Sequence, residues 1–187
     1  MKITDFAMEI CDELKETLAH VDEEEAERFF ALLKEKRDGK RIFVYGAGRC
    51  GYVMRAFCMR LMHLGFETYF VPDTNTPAAE CGDLFIAADG AGHLSTVNAM
   101  AELAVKAGAV TAVLTIDPAS PLGQLADMVI KIPGRTTAHG GLGESIQPGG
   151  GRFEQSLFIF LDAIIAFLVE SYGLKKDSAF IRHSNLE

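Results

Sequence analysis

The chain is poor in the features that mark whole classes of protein. Its four cysteines, Cys11, Cys50, Cys58 and Cys81, lack the C-x-x-C spacing of metal ligands, which sets aside a zinc centre and a disulfide framework. Basic residues are few: 18 Lys and Arg against 26 Asp and Glu leave a formal net charge of −8, and no local cluster of cations offers a footprint for nucleic acid. No apolar run has the length of a bilayer span, and the opening MKITDFAMEI lacks the basic flank and unbroken apolar stretch of a signal peptide. A cytoplasmic protein with no membrane partner is expected. Internal repeats and low-complexity segments are also missing. What is present is 49% hydrophobic residues in 187, enough for one sizeable core. Residues 1–187 therefore read as a single domain, with a small molecule or another copy of the chain as partner.

The first 39 residues read as a helical pair. Ile3, Phe6, Ile10, Leu14 and Leu18 recur at helical spacing, and Asp22 followed by Glu25 has the form of a capping box for a second helix through Phe29, Phe30 and Leu33, ending near Gly39. Two amphipathic helices ahead of a core must bury their apolar stripes somewhere, and a neighbouring subunit is a common answer.

From residue 40 onward the texture changes to short apolar runs at 42–45, 68–71, 84–88, 110–116 and 128–132, separated by helical patterns at 52–64 and 97–106. Strands apolar on both faces, alternating with helices, predict a parallel sheet between two helix layers, hence a three-layer α/β fold. The Gly-rich stretch from Gly134 to Gly151 is long for a connection and is expected to be functional or mobile. A long apolar helix over 151–172 follows, with Phe153, Leu157, Phe160, Leu161, Ile164, Ile165 and Leu168 on its buried side, then a short helix ending at His183. Met54, Met59 and Met62 are expected in the core, and His63 in a structural role; His20 and His139 carry no assignment.

Gly46, Gly48 and Gly51 form G-x-G-x-x-G between a predicted strand and a predicted helix, where backbone amides and the helix dipole favour an anion. Arg49 inside it is the natural cation for such a ligand. Asp73 at the end of the next strand keeps a dinucleotide site open as an alternative, although the chain has little room for a separate catalytic domain. Glu154, the acid in the first turn of the long helix, either complements the helix dipole or serves as a base.

The segments VYGAGRCGYVMRAFCMRLMHLGF, SIQPGGGRFEQ and FIRHSNLE, in this order over nearly the whole chain, closely resemble the sugar isomerase (SIS) family, and within it the 6-phospho-3-hexuloisomerases. The resemblance implies a flavodoxin-like, five-stranded parallel sheet, a homotetramer or dimer, and isomerisation of a 3-ketohexose 6-phosphate through an enediol with no cofactor and no metal. It further implies Glu154 as the catalytic base, with His183 of the RH-x-N-L signature as acid or hydrogen-bond donor. Substrate contacts fall on Gly46, Gly48, Arg49, Cys50 and Gly51 and on Asp89, Gly90, Ala91, Gly92 and Leu94.

At these contact positions the chain departs from the family. Cys50 stands where a serine is the rule, and Asp89, Ala91 and Leu94 stand in a run that is otherwise Ser-Gly-Ser-Gly-x-Thr, so the hydroxyls that hold phosphate are missing, with Ser95, Thr96 and His93 as nearby substitutes. A hydrogen bond to a charged group contributes about 1.5–3 kcal/mol, so losing two weakens a phosphate grip by about 3–6 kcal/mol. Two expectations follow: an isomerase acting on a sugar whose far end is not phosphate, or a non-catalytic sugar-binding or regulatory SIS module.

Overall fold

The computed structural model describes residues 2–37, 39–135, 142, 144–149, 151–174 and 182–186. Two helices open the chain, α1 (Ile3–Leu18) and α2 (Glu23–Glu35). Asp22 caps α2 by accepting the Glu25 N–H, but the expected capping box does not close. The Glu25 carboxylate instead accepts the Lys131 N–H at 2.8 Å and ties the helix to the sheet. Then follow β1 (Arg41–Gly46), α3 (Gly48–His63), β2 (Glu67–Phe70), β3 (Leu84–Ala88), α4 (Ser95–Lys106), β4 (Val110–Thr115), α5 (Pro121–Gln124), β5 (Met128–Lys131) and α6 (Gly151–Ser171).

All five strands are parallel and lie in the order β2-β1-β3-β4-β5. Alternate side chains of each strand leave by opposite faces. On one face Ile42, Val44, Leu84, Ile86, Leu114 and Ile130 meet α2, α3 and α6 through Phe29, Leu33, Met54, Leu61 and Leu157. On the other, Phe43, Phe85, Ala87 and Val113 meet α4 and α5 through Val97, Ala101 and Leu122. Both faces are covered, which is why the strands read as unbroken apolar runs.

Chain direction turns at β1 and β3: β2 lies to one side of this pair, β4 and β5 to the other. In open parallel sheets the crevice beyond the carboxyl ends of such a pair is where ligands sit. Residues 46–51 follow β1 and residues 89–94 follow β3, so this topology brings the two Gly-containing segments to one place.

Two expectations need correction. The helix predicted from residue 52 begins at Gly48, so most of the Gly-rich stretch is the first turn of α3, with Gly48 at φ +55°. Of the three methionines assigned to the core only Met54 is buried; Met59 and Met62 lie on the exposed side of α3. The short helix α5 has no expected counterpart, and the one expected before His183 lies mostly outside the described residues, as does His139.

Candidate active site

Glycines at 46 and 51 let β1 and α3 approach closely. A Cβ on Gly51 would lie 2.6 Å from the Gly46 carbonyl oxygen, a backbone clash that nothing flexible can relieve. The close turn puts Cys50 under the β3–α4 connection, where the Gly90 N–H points at its sulfur. The first turn of α6 closes the third side: a Cβ on Gly90 would sit 3.1 Å from the Phe153 ring.

Glu154 projects from that turn toward α3. Its Oε2 lies 3.6 Å from the Arg49 Nε, an ion pair too long for a hydrogen bond, and among the described residues this buried oxygen has no hydrogen-bond partner. The Glu154 side chain is 16% exposed and that of Arg49 63%, so the carboxylate is mostly buried while the guanidinium reaches into solvent. Together with Tyr52, Val53, Gln155 and Phe158 they line a cavity of about 270 Å³. Among the described residues the buried side-chain oxygen of Gln155 also has no partner. Neither Tyr52 nor Gln155 was singled out from the sequence; the RFEQ segment that carries the family likeness contains Gln155 and was the available signal.

Cys50 reports the electrostatics. Burial pushes its thiol up to about 12, the Glu154 carboxylate adds to this, the Gly90 N–H opposes it, and Asp89 adds again. The group is a neutral thiol at any physiological pH, no nucleophile, and both carboxylates lie within electrostatic reach of it. Asp89 itself is buried and its Oδ2 accepts the Leu94 N–H at 2.9 Å, at the start of α4.

The first turn of α6 is held from behind. Arg152 is buried, which is unfavourable for a cation near a helix amino terminus unless it has partners elsewhere. It donates through Nε to the Thr17 hydroxyl at 2.6 Å, through Nη2 to Glu16 at 2.7 Å and through Nη1 to the Leu142 carbonyl at 3.3 Å. One turn earlier on α1, Glu13 accepts from Ser145 Oγ, the Ile146 N–H and Gln147 Nε2. Partial burial pushes the Glu13 carboxyl up, but the bonds from Ile146, Ser145 and Gln147 and the nearby Arg152 outweigh it and hold it below its ordinary value. Thus α1 fixes both the end of the Gly-rich segment and the turn that carries Glu154.

The structure does not bring His183 to this site. Its ring packs against that of His63, centroids 5.1 Å apart, at the far end of α3. At 1.5 Å per residue, His63 lies about 21 Å along the helix from Arg49. Asp73 gives both oxygens to Arg55 at 2.9 Å and so is not presented to a ribose. A second cavity, of about 490 Å³ beside Gly65, Tyr69 and Arg182, opens at the end of the sheet opposite Glu154 and touches none of these groups. Among the described residues no group of three or more His, Cys, Asp or Glu side chains is placed to hold a metal, and no helix is long and apolar enough to cross a membrane.

The chain is similar to known proteins in sequence and in fold. Residues 37–147 match the SIS domain. The chain is 38% identical to a 3-hexulose-6-phosphate isomerase of Bacillus subtilis over the full length of both, and 41% identical to one of Mycobacterium gastri over 94% of this chain and 87% of the other. A crystal structure from Methanococcus jannaschii, for which a molecular function of 3-hexulose-6-phosphate isomerase was inferred, superposes with a TM-score of 0.82 at 29% identity, covering 97% of this chain and 98% of that one. By sequence and by fold, the chain belongs to the SIS domain family.

Proposed function

We propose that the protein is a ketose isomerase that moves a carbonyl between C3 and C2 of a sugar through an enediol. Moving the carbonyl from C3 to C2 takes a proton from C2 while O3 gains one, giving the enediol; O2 then loses its proton as C3 gains one, and one base on one face can carry the proton between the two carbons. Glu154 is that base: its side chain lines a cavity of about 270 Å³, and among the described residues its buried Oε2 has no hydrogen-bond partner. This oxygen is the observation that carries the reading. Arg49, exposed beside Glu154, is the cation that offsets the charge of the enediolate oxygen, and the amides of the first turn of α3 add to the same potential.

The reading extends to the assembly. The homotetramer implied by the family likeness gives the exposed Ile3, Phe6 and Met8 of α1 and Phe158, Ile159 and Phe167 of α6 a surface to bury. A second copy is also the route by which His183 enters a site as acid or hydrogen-bond donor, since its own chain keeps it at the far end of α3. We read residues 1–187 as one domain working in the cytoplasm, in keeping with four free cysteines, on a small sugar and without a cofactor.

The test is incubation in deuterated water with a panel of 2- and 3-ketohexoses and their 6-phosphates, followed by mass spectrometry. Deuterium entering the carbon beside the carbonyl supports the isomerase. Binding of a sugar with no exchange in any of them contradicts it and favours a silent sugar-sensing module.

A further inference from the structure

We infer that the cavity beside Gly65, at the end of the sheet away from Glu154, is a second binding site, independent of the isomerase reading, and that it takes a small polyanion, a molecule carrying two or more negative charges such as a diphosphate.

The cavity, of about 490 Å³, lies where the connection from α2 to β1 passes the end of α3 and the start of β2. Its charged lining residues are Arg37, Lys40 and Arg182 against Glu67, a balance of +2 in a chain whose formal net charge is −8. Each cation is held by something other than an acid. The Arg37 guanidinium lies over the Tyr172 ring, 3.9 Å from its centroid, and Lys40 Nζ donates to the Cys81 carbonyl at 3.1 Å. The Arg182 guanidinium rests against Gly65, its atoms 3.6 to 3.8 Å from where a Cβ would stand. Gly65 has φ +93°, a conformation that suits glycine, and its missing side chain leaves the guanidinium that room. Among the described residues none of the three cations has a carboxylate within ion-pair distance. The one acid, Glu67, accepts the Tyr69 hydroxyl of its own strand at 2.9 Å.

Three like charges around one cavity repel each other, and in a recess they are screened less than on open surface. A polyanion removes this repulsion through charge-assisted hydrogen bonds, and the arginine fork matches two oxygens of a phosphate or carboxylate at once. Two negative charges meet the balance of +2, whereas a single one leaves it half offset. The length of α3 separates the cavity from Arg49 and Glu154, so a polyanion and a sugar can be bound together.

Calorimetric titration with inorganic pyrophosphate at low salt tests this, with acetate as the singly charged control. Expected for the parent is a Kd of about 1 mM or tighter for pyrophosphate, rising with added salt, and no detectable binding of acetate. Lys40 and Arg182 are exposed, so Lys40→Gln and Arg182→Gln leave the core intact; each should bind pyrophosphate about tenfold or more weakly. Glu67→Gln should bind it more tightly, a gain that no loss of folding can imitate. Amide hydrogen exchange locates the ligand: with pyrophosphate present, protection should rise in residues 65–69. No binding by the parent, acetate bound as tightly as pyrophosphate, unchanged affinity in both Lys40→Gln and Arg182→Gln, or protection confined to residues 46–51 overturns the assignment.

Discussion

Replacing Arg152 by methionine removes the clamp between α1 and the first turn of α6 while keeping an unbranched chain in place of the arginine's aliphatic stem. The parent side chain is 6% exposed and makes three hydrogen bonds. The bond to Thr17 is buried and charge-assisted, the pair with Glu16 is partly screened because Glu16 is 53% exposed, and the 3.3 Å contact to Leu142 is the weakest. A charge-assisted bond contributes about 1.5–3 kcal/mol and an exposed ion pair under 1, while the methionine recovers part of the packing, so a net loss of about 2–4 kcal/mol is expected. For a chain of this length each kcal/mol shifts Tm by about 2–4 °C, placing the variant about 4–16 °C lower. Thermal unfolding followed by circular dichroism gives the shift, and amide exchange shows where it originates. Protection should fall in α1 and residues 144–149 and persist in the strands. Thr17→Val removes the buried, charge-assisted bond of the three and should cost about 1.5–3 kcal/mol, largely absorbed when combined with Arg152→Met, as expected for directly coupled residues. A variant within 1 °C of the parent, with α1 protected as before, refutes the clamp.

Other expectations follow from the same coordinates. Glu13→Gln should loosen residues 145–147 with little effect on the sheet, seen as faster exchange of the Ile146 amide. Asp83 is buried and accepts the Arg41 and Glu80 N–H groups beside the Arg41 guanidinium, so Asp83→Asn should cost about 2–4 kcal/mol in urea unfolding. Burial pushes the Asp83 carboxyl up, yet the bonds from Glu80 and Arg41 hold it below its ordinary 3.8, as Glu13 is held below 4.5. The unfolded chain therefore takes up these protons first on acidification. Both contributions are complete above those values and vanish as pH falls through the folded ones, so stability should drop steeply below about pH 4. With its thiol at about 12, Cys50 should resist iodoacetamide at pH 8, where the exposed Cys11 and Cys81 react; mass spectrometry of the labelled peptides reads this directly.

The sheet was legible because its inner strands β1, β3 and β4 are covered on both faces, so that LFIAA at 84–88 reads as a buried strand between turn residues, and its boundaries coincide with β3. The helix over 151–172 was legible for a similar reason: Phe153, Leu157, Phe160, Leu161, Ile164, Ile165 and Leu168 are all buried in α6. Four-residue α5 was not, since a single turn capped by Ser120 and opened by Pro121 is too short for periodicity to register. Met59 and Met62 misled because an apolar residue on a helix reads as core whether it faces the chain's own sheet or the outside. In the site, Glu154 and the glycine turn were visible as local pattern, and Asp89 as a departure from the resembled family. Arg152 was not singled out, although a cation in the first turn of an apolar helix opposes the dipole and signals a distant partner. The separation of His183 from Glu154 is a matter of tertiary path, which no local pattern encodes.

On the reading we propose, the Glu154 carboxylate carries the proton. The most direct measurement compares parent and Glu154→Gln for deuterium uptake beside the carbonyl of a bound ketose, with sugar affinity measured on the same samples. Exchange should fall by about 10²- to 10⁴-fold while affinity changes by less than about tenfold. Exchange by Glu154→Gln at the parent's rate would contradict it.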